Sequence, residues 1–177
     1  GVVEIQESAF ERCILIPYIT FPKSLQIIGE KGFCRCYNLA YIAFNDELKE
    51  IEAEAFGFCG KLKAILINRD LECISSSAFN NCSQLMEFVV SEDNTCYSVQ
   101  DGILYDYDQI VAIRCPENYN HDVVELPRTV KTIGEWCFSR CIKLIDVVLP
   151  KRLETVCSHA FHDSCNIASL TLGDSIR

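Results

Sequence analysis

Twelve cysteines and three histidines are the side chains of this 177-residue sequence best able to do chemistry. Thiolates and imidazoles ligate zinc, and paired thiols exchange with disulfides. The tightest groupings are "CRC" at Cys34 and Cys36 and "CFSRC" at Cys137 and Cys141. Neither has the paired CxxC spacing of a zinc site. His121, His159 and His162 do not complete a ligand set, and the last two flank Phe161 at solvent-facing steps. No Ser-His-Asp or Cys-His grouping, phosphate-binding glycine loop or HExxH motif occurs. The residues therefore point to no enzyme, no cofactor and no metal. The sequon at Asn81 is weak, because Cys82 beside it belongs to the apolar pattern described next.

The cysteines have a different regularity. "AFGFCGKL", Ala55 to Leu62, returns as "AFNNCSQL", Ala78 to Leu85. Phe10, Phe33, Phe56 and Phe79 step by 23 residues, as do Phe138 and Phe161, and Cys13, Cys36, Cys59 and Cys82 keep the same interval. Cys141 to Cys165 is 24, since "FHDSC" carries one residue more than "FSRC", which we read as a local slip. Further columns agree: Ile5, Ile28, Ile51 and Ile74 with Ile133 and Val156, and Val2, Leu25, Leu48 and Leu71 with Val130, Leu153 and Ile176. Self-similarity at such a period marks a solenoid, whose units bury their apolar faces only by stacking. Phe, Cys and Leu then recur because each fills one layer of a core.

Within a unit such as 48–70, "LKAILIN" ends in the period-two alternation of a short, half-buried strand, and "EAEAFGFCG" reads as a tight helical or 3₁₀-like bend. Regular units span 2–24, 25–47, 48–70, 71–93, 130–152 and 153–175 of a single solenoid domain, expected to be a fragment of a longer protein. Between them lies an irregular unit, 94–129. Its "DGILYDYDQIVAIRCP", Asp101 to Pro116, reads as two alternating strands around a polar turn, a β-hairpin projecting from the stack. "VVELP" after it resembles the "VVLP" of Val147 to Pro150, so the ladder is expected to continue through the insertion. At about 4.8 Å per strand, seven units make a stack on the order of 34 Å long.

Repeats of the form "IGEWCFSRCIKLIDVVLP" and "IEAEAFGFCGKLKAILIN", broken by the hairpin, resemble the BspA-like branch of the leucine-rich repeat family over nearly the whole chain. Gly32 and Cys137 depart from its alanine, Ile16 and Ile167 from its leucine, and proline is missing after the strands ending at Phe44, Ile67, Val90 and Leu172. The resemblance implies a leucine-rich repeat solenoid of short parallel strands. It also implies a binding module at the cell surface or outside the cell, used in adhesion to host or neighbouring-cell proteins.

Composition bounds the alternatives. A net charge of −9 and the absence of clustered Lys and Arg argue against nucleic acid as a partner. There is no run long and apolar enough for membrane insertion by this segment. Core-column cysteines, Cys13, Cys36, Cys59, Cys82, Cys141 and Cys165, would be stacked with parallel Cβ vectors about 4.8 Å apart, too far for a disulfide, so they read as a ladder of free thiols. The other six are scattered, and Cys96 with Cys115, flanking the hairpin, is the pair to test for a bond.

Strand residues that alternate with the core must face outward. These are Thr20, Ala43, Leu66, Val89, Val148 and Thr171, with Glu125 in the insertion, flanked by Tyr18, Tyr41, Ala64, Glu87, Asp146 and Ser169. An exposed, largely apolar column suits a protein-contact site, although β-branched residues also suit any strand. Protein recognition through that face is the leading expectation. A structural spacer within a larger surface protein, or a thiol-redox or metal-binding role, are the alternatives.

Overall fold

A computed structural model describes residues 1–170; the expectations placed on Thr171, Leu172 and Ile176 lie outside them. The chain winds through β1 (Glu4–Ile5) and β2 (Tyr18–Thr20), β3 (Ile27–Ile28) and β4 (Tyr41–Ala43), β5 (Glu50–Ile51) and β6 (Ala64–Ile67), then β7 (Cys73–Ile74) and β8 (Glu87–Val90). The irregular segment holds β9 (Tyr97–Gln100), β10 (Ile103–Asp106), β11 (Val111–Arg114) and β12 (Val123–Glu125). Two further coils add β13 (Thr132–Ile133), β14 (Asp146–Val148), β15 (Thr155–Val156) and β16 (Ser169–Leu170). This is the leucine-rich repeat solenoid. Between regular coils pairing is parallel, and its register is the sequence interval: Ile5 lies opposite Ile28, Ile28 opposite Ile51, Ile42 opposite Ile19 and Ile65 opposite Phe88.

No helix occurs among the described residues; the expected helical bends are runs of hydrogen-bonded turns. Their amides show why. In the second coil Gly32, Cys34 and Cys36 donate back three residues within the turn, whereas Lys31, Phe33 and Arg35 donate to Ala53, Ala55 and Gly57 of the next coil. A helix would spend all of these amides on itself. Alternation instead places Ser8, Lys31, Glu54, Trp136 and His159, and again Arg12, Arg35, Phe58, Asn81, Arg140 and Asp163, at φ between 52° and 61°. Non-glycine residues pay roughly 1–2 kcal/mol each for that geometry, a cost the inter-coil bonds offset.

Inside the turns the phenyl rings stack almost flat, Phe10 on Phe33 at 5.1 Å, Phe33 on Phe56 at 5.4 Å and Phe56 on Phe79 at 5.6 Å. Core cysteines beside them are free thiols that donate across coils, Cys36 to Phe10 O, Cys59 to Phe33 O and Cys82 to Phe56 O, each at 3.2 Å. Where proline is missing after the strands, asparagines cap the preceding turn. Asn45 donates to Pro22, Lys23 and Leu25 carbonyls, Asn68 to Asn45 and Leu48, and Asn94 to Asn68 and Leu71.

One correction concerns the cysteine columns. The step from Cys141 keeps its 23 residues, because Ser164 takes the core place and its hydroxyl donates to Phe138 O, so Cys165 is pushed out and exposed. Cys96 and Cys115, the pair to test for a bond, are both free thiols, Cys96 packed against the first core cluster and Cys115 within the second.

Those two clusters meet at the irregular segment. The hairpin forms as expected, joined by β9 on its other edge, but only its turn projects, with Tyr107 exposed. Its strands are a partition: Leu104 and Ile113 face the first core, Ile103, Tyr105 and Ala112 the second. The ladder does not run through. β12 pairs with β14 and not with β8, and β11 with β13 and not with β7. Tyr97 closes the first sheet in place of a strand, its hydroxyl accepting from Ile74 N at 2.8 Å and donating to Glu72 O. Nearby, Arg114 and Glu117 pair at 3.1 Å with side chains only 3% exposed. Glu117 accepts from Asn81 N at 2.6 Å, the amide that a regular next coil would have satisfied, while Arg114 donates to Trp136 O of the following coil. One ion pair thus splices the two stacks.

Candidate functional site

Outward strand residues align because the parallel register stacks each on its counterpart. Tyr18 lies opposite Tyr41 and Thr20 opposite Ala43; Ala64 faces Glu87 and Leu66 faces Val89; Glu125 pairs with Val148, and Asp146 with Ser169. Tyr18 is 65% exposed, Tyr41 55%, Leu66 50%, Val89 44% and Val148 44%. Ala43, Ala64 and Asp146 are half-buried. Between each exposed pair a side chain points inward, as Ile42, Ile65, Phe88, Val124 and Val147 do.

The sites do not make one uniform strip. Strands β2 and β4, β6 and β8, and β12 with β14 and β16 form three separate ladders. Tyr41, Ala43, Leu66 and Val89 come together along a groove of about 490 Å³ that runs on to the polar turn residues Asp46, Arg69 and Asp93. Val148 and Glu125 lie on the far side of the insertion. Thr171, the last predicted member of the column, is outside the described residues.

Val148 and Glu125 border a larger cleft that sequence reading missed, about 910 Å³, between the hairpin turn and the turns that follow β12 and β14. Ile110, Leu149 and Pro150 contribute apolar surface, and Arg128, Lys131, Lys151 and Arg152 contribute charge. Its signal was present in "LPRTVK" and "LPKRLE", two basic turns one repeat apart. Only the hairpin, which is not part of the repeat, turns them into a concavity.

The thiols and imidazoles make no such site. Burial lifts Cys36 to about 11 and Cys82 to about 12, and Cys59 and Cys137 are also held far above the ordinary thiol range by desolvation. Buried, protonated sulfurs are poor nucleophiles, and those of Cys36, Cys59 and Cys82 already donate to carbonyls. Trp136 stacks on exposed His159 at 4.3 Å and meets His162 edge-on at 5.3 Å. Among the described residues no group of three or more His, Cys, Asp or Glu is placed to hold a metal ion, and no helix is long and apolar enough to cross a membrane.

The BspA type leucine rich repeat region matches in six copies, over residues 3–122 and 117–177. The crystal structure of the pneumococcal vaccine antigen PcpA has a similar fold, with a TM-score of 0.91 and 24% identity over 99% of this chain and 44% of that one. A leucine rich cell surface protein from Faecalibacterium prausnitzii gives a TM-score of 0.78 and 21% identity over 97% and 51%. A leucine rich repeat protein from T. pallidum gives 0.56 and 27% over 88% and 65%. The chain therefore spans about half the length of the first two. No curated protein matches it in sequence.

Proposed function

Because the chain belongs to the BspA-type leucine-rich repeat family, we propose that it is a non-catalytic protein-recognition module, working at the cell surface or outside the cell. Its partner is a host or neighbouring-cell surface or matrix protein, held on the sheet face. One observation carries the reading: Tyr18 with Tyr41, and Leu66 with Val89, stay exposed as two register-aligned pairs on one face, although the inward Ile42, Ile65 and Phe88 are buried and Ile19 half-buried. Large apolar and aromatic side chains exposed in register are the material of contact surfaces, tyrosine above all. The descriptions of two matching structures, a vaccine antigen and a cell surface protein, support the location.

Leu66→Glu with Val89→Glu tests the face without touching the core. Capture of surface proteins from host or neighbouring cells by the immobilised chain should be abolished, with the thermal unfolding midpoint unchanged. Undiminished capture removes the sheet face from the account. If the unaltered chain captures nothing, the spacer reading takes its place.

A further inference from the structure

We propose that the cleft between the hairpin turn and the turns after β12 and β14 is a second recognition site, built for an acidic, apolar-bearing extended peptide segment of a partner protein. The proposal rests on the protein-recognition reading above but uses a different surface. Three features meet in it. Four of the chain's 16 lysines and arginines, Arg128, Lys131, Lys151 and Arg152, line this one cleft against two carboxylates, Asp108 and Glu125, in a protein whose net charge is −9. Such a local reversal of sign selects an anionic ligand and disfavours a basic one. Exposed Ile110 and Val148 offer apolar contact on opposite sides, one from the hairpin and one from the sheet. Finally, the cleft opens beside the strand face through Glu125 and Val148, so a segment crossing that face is led into it.

The geometry separates this ligand from other anions. A phosphate or sulfate group calls for converging donors, whereas these cations are exposed and distributed over two successive turns. A nucleic acid needs a basic track long enough to neutralise many phosphates, and four cations in an acidic chain do not supply one. An extended segment alternating acidic and apolar side chains matches both the spread of charge and the apolar contacts at Ile110 and Val148. Lys131 is already held by Glu154 at 3.3 Å, leaving Arg128, Lys151 and Arg152 as the main partners for incoming carboxylates.

The test uses the full chain and three short fluorescein-labelled peptides: alternating glutamate and valine, the same with lysine for glutamate, and the same with serine for valine. Fluorescence anisotropy should show binding of the glutamate–valine peptide that weakens with salt, at least roughly tenfold weaker binding of the serine form, and no binding of the lysine form. Lys151→Glu with Arg152→Glu should weaken the first peptide at least roughly tenfold and leave the unfolding midpoint in place. Equal binding of the lysine peptide, unchanged binding by that variant, or binding of heparin with none of the peptide would overturn the proposal. Leu66→Glu with Val89→Glu keeps the two readings apart. It should leave peptide binding intact; if the peptide is lost there instead, the cleft falls and the sheet face stands.

Discussion

Residues 25–93 and residues 94–129 satisfy the same demands by opposite means. In the regular coils every need is met by a copy: an amide finds the next coil's carbonyl, a phenyl ring finds the ring 23 residues on, a thiol finds a phenylalanine carbonyl. In the irregular segment several needs are met once, by residues with no counterpart. Tyr97 stands in for a strand, Glu117 for a coil's carbonyls, Arg114 for an amide. The regular part is therefore redundant and the splice is not. Damage to one layer is shared with its neighbours, while damage at the splice disconnects two cores.

The largest effect is expected from Glu117→Ala, which strands the Arg114 charge and the Asn81 amide in the interior. It should cost about 3–5 kcal/mol and, in calorimetry, separate one unfolding transition into two. Persistence of a single, unshifted transition would erase the contrast between splice and stack. Tyr97→Phe should cost about 1–3 kcal/mol by leaving Ile74 N and Glu72 O without partners, read as a lower denaturant midpoint. In the regular stack, Cys59→Ser should cost only about 1 kcal/mol, since the hydroxyl can donate to Phe33 O as Ser164 already does to Phe138 O; a larger loss by denaturant titration would show that the sulfur's packing, not its bond, matters. The smallest effect is one of pH. Burial raises the Glu117 pKa above the ordinary 4.5, against the pull of Arg114, the Asn81 amide and Arg140. The increment of stability linked to this shift is therefore fully present below that value and is lost as pH rises through the raised one. Thermal midpoints of Glu117→Gln, lacking the titration, should lose less than those of the unaltered chain over the same rise.

Periodicity made the stack legible. Side chains that repeat at 23 residues must share a column, so the core phenylalanines, the inward isoleucines and the outward Tyr18, Tyr41, Leu66 and Val89 could be read before any coordinates. What failed to show was whatever occurs once. The turn runs resemble helices in composition, and only the division of amides between coils distinguishes them. Ser164 was hidden because Cys165 beside it looked like the column's member. The basic cleft was overlooked because its two turns belong to the repeat but its far wall, at Ile110, does not. Thus the outward strand face followed from the pattern, and the cleft required the hairpin's place in space.

The turns' alternating amides have an evolutionary corollary. Each coil hands its successor the same row of donors in the same order, so an in-frame duplication or loss of one whole repeat leaves both flanks able to rejoin. Arrays of this kind can change length by recombination without inventing a new contact. A crossover within the segment holding Tyr97, Arg114 and Glu117 has no such freedom, and family members built on this plan should vary in their number of coils far more readily than in that seam.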